Sequence, residues 1–147
     1  MSVQYRPHGC RTVSPYLVVE DIPTALAFLK KVFGAQDREK LTLPDGTVNH
    51  AMVSIDDSTI ILGAARGARR RGESTFYVYV KDADAVYRAA LAAGATSLVE
   101  PSNQFYGDRN AGVRGPDGNC WWIATHVEDV PHAELVRRNA AQGKWPE

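Results

Sequence analysis

The feature that most constrains this chain is that it repeats itself. Residues 16–35 read YLVVEDIPTALAFLKKVFGA and residues 77–95 read YVYVKDADAVYRAALAAGA. Each copy opens on four aromatic or aliphatic residues, places an aspartate (Asp21, Asp82) two positions after a valine, and closes on Gly-Ala. The second copy is one residue shorter between its aspartate and its glycine. Self-similarity of this kind marks a duplicated structural unit.

The physics of the two copies is the same. A short run rich in valine and tyrosine favours a strand. The aspartate that ends it can cap a helix by accepting a backbone N–H. Pro23 falls in the first helical turn, where a missing N–H costs nothing. Leu26, Leu29 and Phe33 recur at helical spacing, as do Ala25, Phe28 and Val32; Val86, Ala89, Ala90 and Ala93 do so in the second copy. Gly34 and Gly94 stand where a helix stops in the left-handed conformation. Three strand-like stretches follow each helix: Arg38–Leu43, Thr47–Ile55 and Thr59–Ala64, then Thr96–Glu100, Arg109–Arg114 and Asn119–His126. Pro44-Asp45-Gly46, Asp56-Asp57 and Pro116-Asp117-Gly118 supply turns. Each half therefore predicts strand, helix, strand, strand, strand.

Between the halves, Gly63 to Ser74 reads GAARGARRRGES, without periodicity, and predicts a flexible exposed linker. Its arginines, Arg66, Arg69, Arg70 and Arg71, are read as a solvated loop rather than an anion-binding patch. A short C-terminal helix is expected over about Ala133–Ala141, before a Gly143–Pro146 tail. The division is one domain, 1–147: module one about 12–65, linker about 66–74, module two about 75–130, and a C-terminal helix about 131–143.

Composition narrows the classes. Apolar residues are 44% and charged residues 23%, a soluble globular balance. Seventeen basic residues offset 17 acidic ones, so no bulk field favours nucleic acid or an anionic membrane. No apolar run approaches the roughly 20 residues of a membrane span. Met1 to Arg11 holds no apolar signal core, so a cytoplasmic protein is expected. Cys10 and Cys120 are too few for a disulfide framework and are read as free thiols. Cys120, mid-strand among aromatics, reads as packing.

The order and spacing of TVSPYLVVEDIPTALAFLKKVFGA, NHAMVSIDDSTIIL and QFYGDRNAGVRGPDGNCWWIATHVEDV resemble the vicinal oxygen chelate superfamily, the glyoxalase/bleomycin resistance/dihydroxybiphenyl dioxygenase-like proteins, and within it the PhnB-like branch. The likeness covers about Thr12 to Val130. One departure is Gly115, where such sequences usually place aspartate before Pro-x-Gly. The resemblance implies an α+β fold of two tandem βαβββ modules whose curved mixed sheets surround a cleft. It also implies a homodimer, the modules pairing across a two-fold axis and sometimes being exchanged.

In that family the cleft commonly holds a divalent metal on two histidines and two glutamates, which polarises vicinal substrate oxygens as a Lewis acid. Registered on Asp21, Asp82 and Asp117-Gly118, the four ligand positions fall on Ser14, on Ile61 or Gly63, on Thr75 and on Trp122. None is a histidine or carboxylate, and a one-residue slip to Val13, Pro15, Phe76, Trp121 or Ile123 offers nothing better. No metal cofactor is therefore expected.

Alternation instead lines the cleft with Ser14, Tyr16 and Val18, with Thr75, Tyr77 and Tyr79, and with Trp122 and Ala124, an aromatic wall suited to a flat organic ligand. His50 opens a strand with Met52 and Ser54 on its face and is the candidate general base. Tyr106, Asp108 and Arg109, in QFYGDRN, are placed either to reach over the cleft mouth or to join a subunit interface. His126 and Glu128 read as a salt-bridged strand end. The leading expectation is a small-molecule binding protein without the usual metal centre, as in the antibiotic-sequestering members of the superfamily. The alternative is a glyoxalase- or dioxygenase-like lyase, isomerase or oxidoreductase working through His50, with His126 and Glu128, at a relocated or lost metal site.

Overall fold

A computed structural model describes residues 2–142. The first copy forms β1 (Tyr16–Val19), α1 (Ile22–Phe33), β2 (Gln36–Thr42), β3 (Val48–Ile55) and β4 (Ser58–Ala64). The second forms β5 (Thr75–Tyr79), α2 (Ala83–Ala92), β6 (Thr96–Asn103), β7 (Asp108–Arg114) and β8 (Cys120–His126), and α3 (His132–Gln142) follows. The two strand orders are the same: β1-β4-β3-β2 and β5-β8-β7-β6, each with one parallel pair, β1 on β4 and β5 on β8. The expected α+β fold of two βαβββ modules with mixed sheets is what forms. The predicted Gly143–Pro146 tail lies outside the described residues.

The caps work as their chemistry requires. Asp21 accepts the N–H of Thr24 at 3.1 Å, and Asp82 accepts that of Ala85 at 3.0 Å. Gly34 ends α1 at φ 66°, a left-handed backbone that glycine adopts without a Cβ penalty. One strand runs past its expected end. β6 continues through Pro101, whose missing N–H is tolerated because the ladder is irregular between Val99 and Ser102.

The two sheets share no ladder and do not close on each other. The modules meet through their helical sides. Phe28 and Phe33 of α1 pack on Trp121 of β8, with ring centroids 6.5 and 5.1 Å apart, and Trp121 stacks on Phe76 of β5 at 4.6 Å. Leu17 and Val19, Ala51 and Val53, Val113, and Trp121 and Ile123 turn into this one core. Gly115 has a packing role here: a Cβ would stand 3.2 Å from Phe28 Cε1 and 2.9 Å from Asp117 Oδ1. Because strand side chains alternate, the same strands present a second face to the outside.

Candidate functional site

On the outer face of the second sheet, cross-strand pairing sets Tyr77 beside Trp122 and Tyr79 beside Ala124, and then Ala124 beside Asn110 and His126 beside Asp108. Tyr77 and Tyr79 meet edge to face at 5.3 Å and remain 43% and 63% exposed. Trp122 lies flat over Gly112, where a Cβ would come within 2.8 Å of the indole. Thr75 is exposed at the start of β5.

Beneath the tyrosines lies a buried carboxylate. Asp108 is 3% exposed. Its Oδ2 accepts Tyr77 Oη at 2.7 Å and Tyr79 Oη at 3.0 Å, and its Oδ1 meets His126 Nδ1 at 2.8 Å. Asn110 Nδ2 donates to Tyr77 Oη at 3.1 Å and to Tyr106 Oη at 2.7 Å. Burial pushes the Asp108 carboxyl up, but the bonds from Tyr77, His126 and Tyr79 outweigh it and hold the group below the usual carboxylate range. The bond to Asp108, then the 2.7 Å contact with Asp129, raises the His126 imidazole above its ordinary value. Burial first, with the anionic partner also contributing, raises the Tyr77 phenol; for Tyr79 the Asp108 bond is the main cause. Tyr77 and Tyr79 therefore stay neutral, with their protons committed to Asp108. Asp108 and His126 thus form the polar floor of an aromatic face, a role that sequence pattern does not reveal for either residue. The available signal was pairing parity, which sets Asp108 opposite His126 once β7 begins at residue 108.

Arg109 does not join this group. Alternation along β7 turns it to the helical side, where it holds Asp84 of α2 through Nε at 2.8 Å and Nη2 at 2.9 Å. Glu128 likewise pairs with Arg138 of α3 at 2.7 Å, as a salt-bridged strand end does. Cys120 is buried, and burial raises its thiol, as suits packing.

On the outer face of the first sheet, Tyr16 pairs with Ile61, which pairs with Met52, and His50 pairs with Gly63. Tyr16 is 45% exposed and its phenol lies over Gly63, so a side chain there would have to displace the ring. His50 Nε2 is 3.5 Å from Glu39 Oε1. Ser14 bonds back to Arg11 O at 3.4 Å. Met52 is partly covered, because Cys10 Sγ approaches its sulfur to 4.0 Å and Thr59 Oγ1 holds Gly9 O at 3.2 Å. The N-terminal segment thus closes one end of this face, which no periodicity in residues 4–12 announces.

The structural register makes Ile61 the counterpart of Trp122, since each pairs laterally with the first strand's tyrosine. The positions at which the resemblance expects metal ligands thus carry Ser14, Ile61, Thr75 and Trp122, a donor set that does not fit a divalent cation. Among the described residues no group of three or more histidine, cysteine or acidic side chains is arranged to hold a metal. Between the modules runs an open groove of about 470 Å³. Tyr77, Tyr79, Phe76 and Trp121 line one side, and Ile55 to Ser58 and Ile60 the other.

Comparison with known proteins agrees with this fold. An uncharacterised protein of Mycobacterium bovis is 32% identical over 142 residues, covering 89% of this chain and 93% of its own. An uncharacterised protein of Mycobacterium tuberculosis is equally identical, with 84% of its own length covered. Among solved structures, TioX from Micromonospora sp. ML1 superposes with a TM-score of 0.68 at 22% identity, covering 80% of this chain and 99% of that one. A family member from Burkholderia phytofirmans gives 0.60 at 23%, covering 76% and 95%. The profile of the Glyoxalase/Bleomycin resistance protein/Dioxygenase superfamily matches residues 11–123, and the chain belongs to that superfamily.

Proposed function

We propose that the protein binds a small, flat organic molecule against its aromatic sheet faces without the divalent centre of its enzymatic relatives, and that a second copy completes the cleft. The observation that carries this reading is the pair Tyr77 and Tyr79. Both rings are exposed, and both hydroxyls are tied to one buried carboxylate, so their orientation is set before any ligand arrives. Such rigid rings bind planar partners with little ordering entropy left to lose. The dimer reading is supported by three exposed tyrosines on two outward faces and by β1 and β5, each hydrogen-bonded on one side only. The PhnB-like likeness and a role in sequestering antibiotics belong to the same proposal.

Thermal-shift screening against aromatic metabolites and antibiotics tests it. A ligand at about 100 times its Kd stabilises the fold by about 2.7 kcal/mol, enough to raise Tm by several degrees. No shift across a broad panel contradicts the proposal. His50→Ala separates it from the enzymatic reading: a binder keeps its ligand with at most a modest loss, whereas a catalyst loses turnover.

A further inference from the structure

We propose that the arginine-rich linker builds an oxyanion subsite on the outer face of the first sheet, with Arg69 as its anchor and Tyr16 as its brace, and that the ligand carries a carboxylate. This rests on the aromatic-ligand reading above and names its chemical class.

The linker is more ordered than its composition suggests. Arg66 and Arg69 close a tight hairpin, with Arg66 N to Arg69 O at 2.7 Å and Arg69 N to Arg66 O at 2.9 Å. Gly67, at φ 58°, supplies the left-handed residue of the turn. At the other end, the Arg71 guanidinium lies against Gly118, and Ser74 N donates to Asn119 Oδ1 at 2.9 Å. The loop is thus tied to both modules.

The hairpin delivers Arg69 to Tyr16, where Nη1 donates to the phenol oxygen at 2.8 Å. That partner is neutral, so it orients the guanidinium without cancelling its charge. Arg11, Arg109, Arg114, Arg137 and Arg138 each face a carboxylate. Among the described residues no carboxylate stands within ion-pair distance of Arg69, and Glu20 and Asp45, which line the same pocket, share it with a second arginine, Arg66. Tyr16 Oη accepts from Arg69, which leaves its own O–H to donate outward. His50 rises on the same face beside Gly63, and the nearby Glu39 sits against His50 at 3.5 Å. The Arg69 fork keeps Nε and Nη2 for a planar oxyanion, and a carboxylate matches that geometry. The ring of Tyr16, 45% exposed, offers apolar surface beside it.

Calorimetric titration with 1-naphthoate, 1-naphthamide and 1-naphthylmethylammonium decides the matter. The native protein should bind naphthoate at least about tenfold more tightly than naphthamide, the range of one charge-assisted contact. Arg69→Gln should bring naphthoate down to the naphthamide level and leave naphthamide unchanged. Tyr16→Phe should cost a few-fold for naphthoate, and Arg70→Gln, equal in charge but outside the hairpin pair, should change nothing. Equal binding of naphthoate and naphthamide overturns the subsite, as does an equal loss from Arg69→Gln and Arg70→Gln, while aromatic binding itself stands. If none of the three probes binds, the aromatic-ligand reading fails and the subsite with it.

Discussion

Asp108 decides most at the scale of single residues. A buried carboxylate is costly unless every lone pair finds a donor, and here Tyr77, Tyr79 and His126 supply them. Asp108→Asn keeps the volume but removes the charge, so denaturant unfolding should show a loss of about 2 kcal/mol. NMR titration of the same variant should find the His126 midpoint moved back down toward 6.5, the ordinary imidazole value. The pH dependence has two sides. The folded His126 value is raised, so its contribution is whole below 6.5 and is lost as pH climbs through the raised value. The folded Asp108 value is depressed, so its contribution is whole above 3.8 and is lost as pH falls through the lowered value. Urea midpoints should therefore decline on both sides of a mildly acidic plateau, and His126→Gln should flatten the alkaline side. Arg109 gives the contrasting case. Because it pairs with half-exposed Asp84 on the helical side, Arg109→Met should cost no more than about 1 kcal/mol and leave ligand affinity untouched.

Among the elements, α1 and β8 join the modules. Trp121 is 1% exposed and touches Phe28 and Phe33 of one module and Phe76 of the other. Trp121→Ala should remove about 3–5 kcal/mol and should still give a single unfolding transition, because both halves share this core. Two separate transitions in calorimetry would contradict a shared core. This is also the scale at which the sequence was most legible. Local signals write themselves into pattern: Asp21 and Asp82 as caps, Gly34 as a stop, valine-rich runs as strands. Alternation grouped Tyr16 with Val18, and Tyr77 and Tyr79 with Trp122, as a cleft wall; Tyr16, Tyr77 and Tyr79 stand 45%, 43% and 63% exposed, whereas Ala124 of the same group is buried. Alternation failed where a partner comes from far along the chain. Arg109 was grouped with its loop neighbours although it already lay in the expected strand, where alternation turns it to the face opposite Asp108. The contact of Cys10 with Met52, and of Arg69 with Tyr16, join segments 42 and 53 residues apart and leave no periodic trace.

For the whole molecule, duplication explains the architecture and not the chemistry. Two copies of one module give two equivalent sheets, yet the residues where the resemblance expects metal ligands are Ser14, Ile61, Thr75 and Trp122. The outer face of the second sheet is aromatic and that of the first carries Tyr16, the edge strands β1 and β5 are each paired on one side only, and no helix among the described residues is long and apolar enough to cross a membrane. Light scattering coupled to size exclusion should find a dimer, which Tyr79→Lys, at the most exposed of the three tyrosines, should weaken; a monomer at all concentrations would leave the faces to be covered by ligand alone. The most direct test of metal-free aromatic binding is the ligand-induced rise in Tm measured with and without EDTA. The same rise, about 5–10 °C at saturating ligand, is expected in both conditions. A rise that disappears in EDTA and returns with added Zn, Ni, Mn or Fe would contradict it.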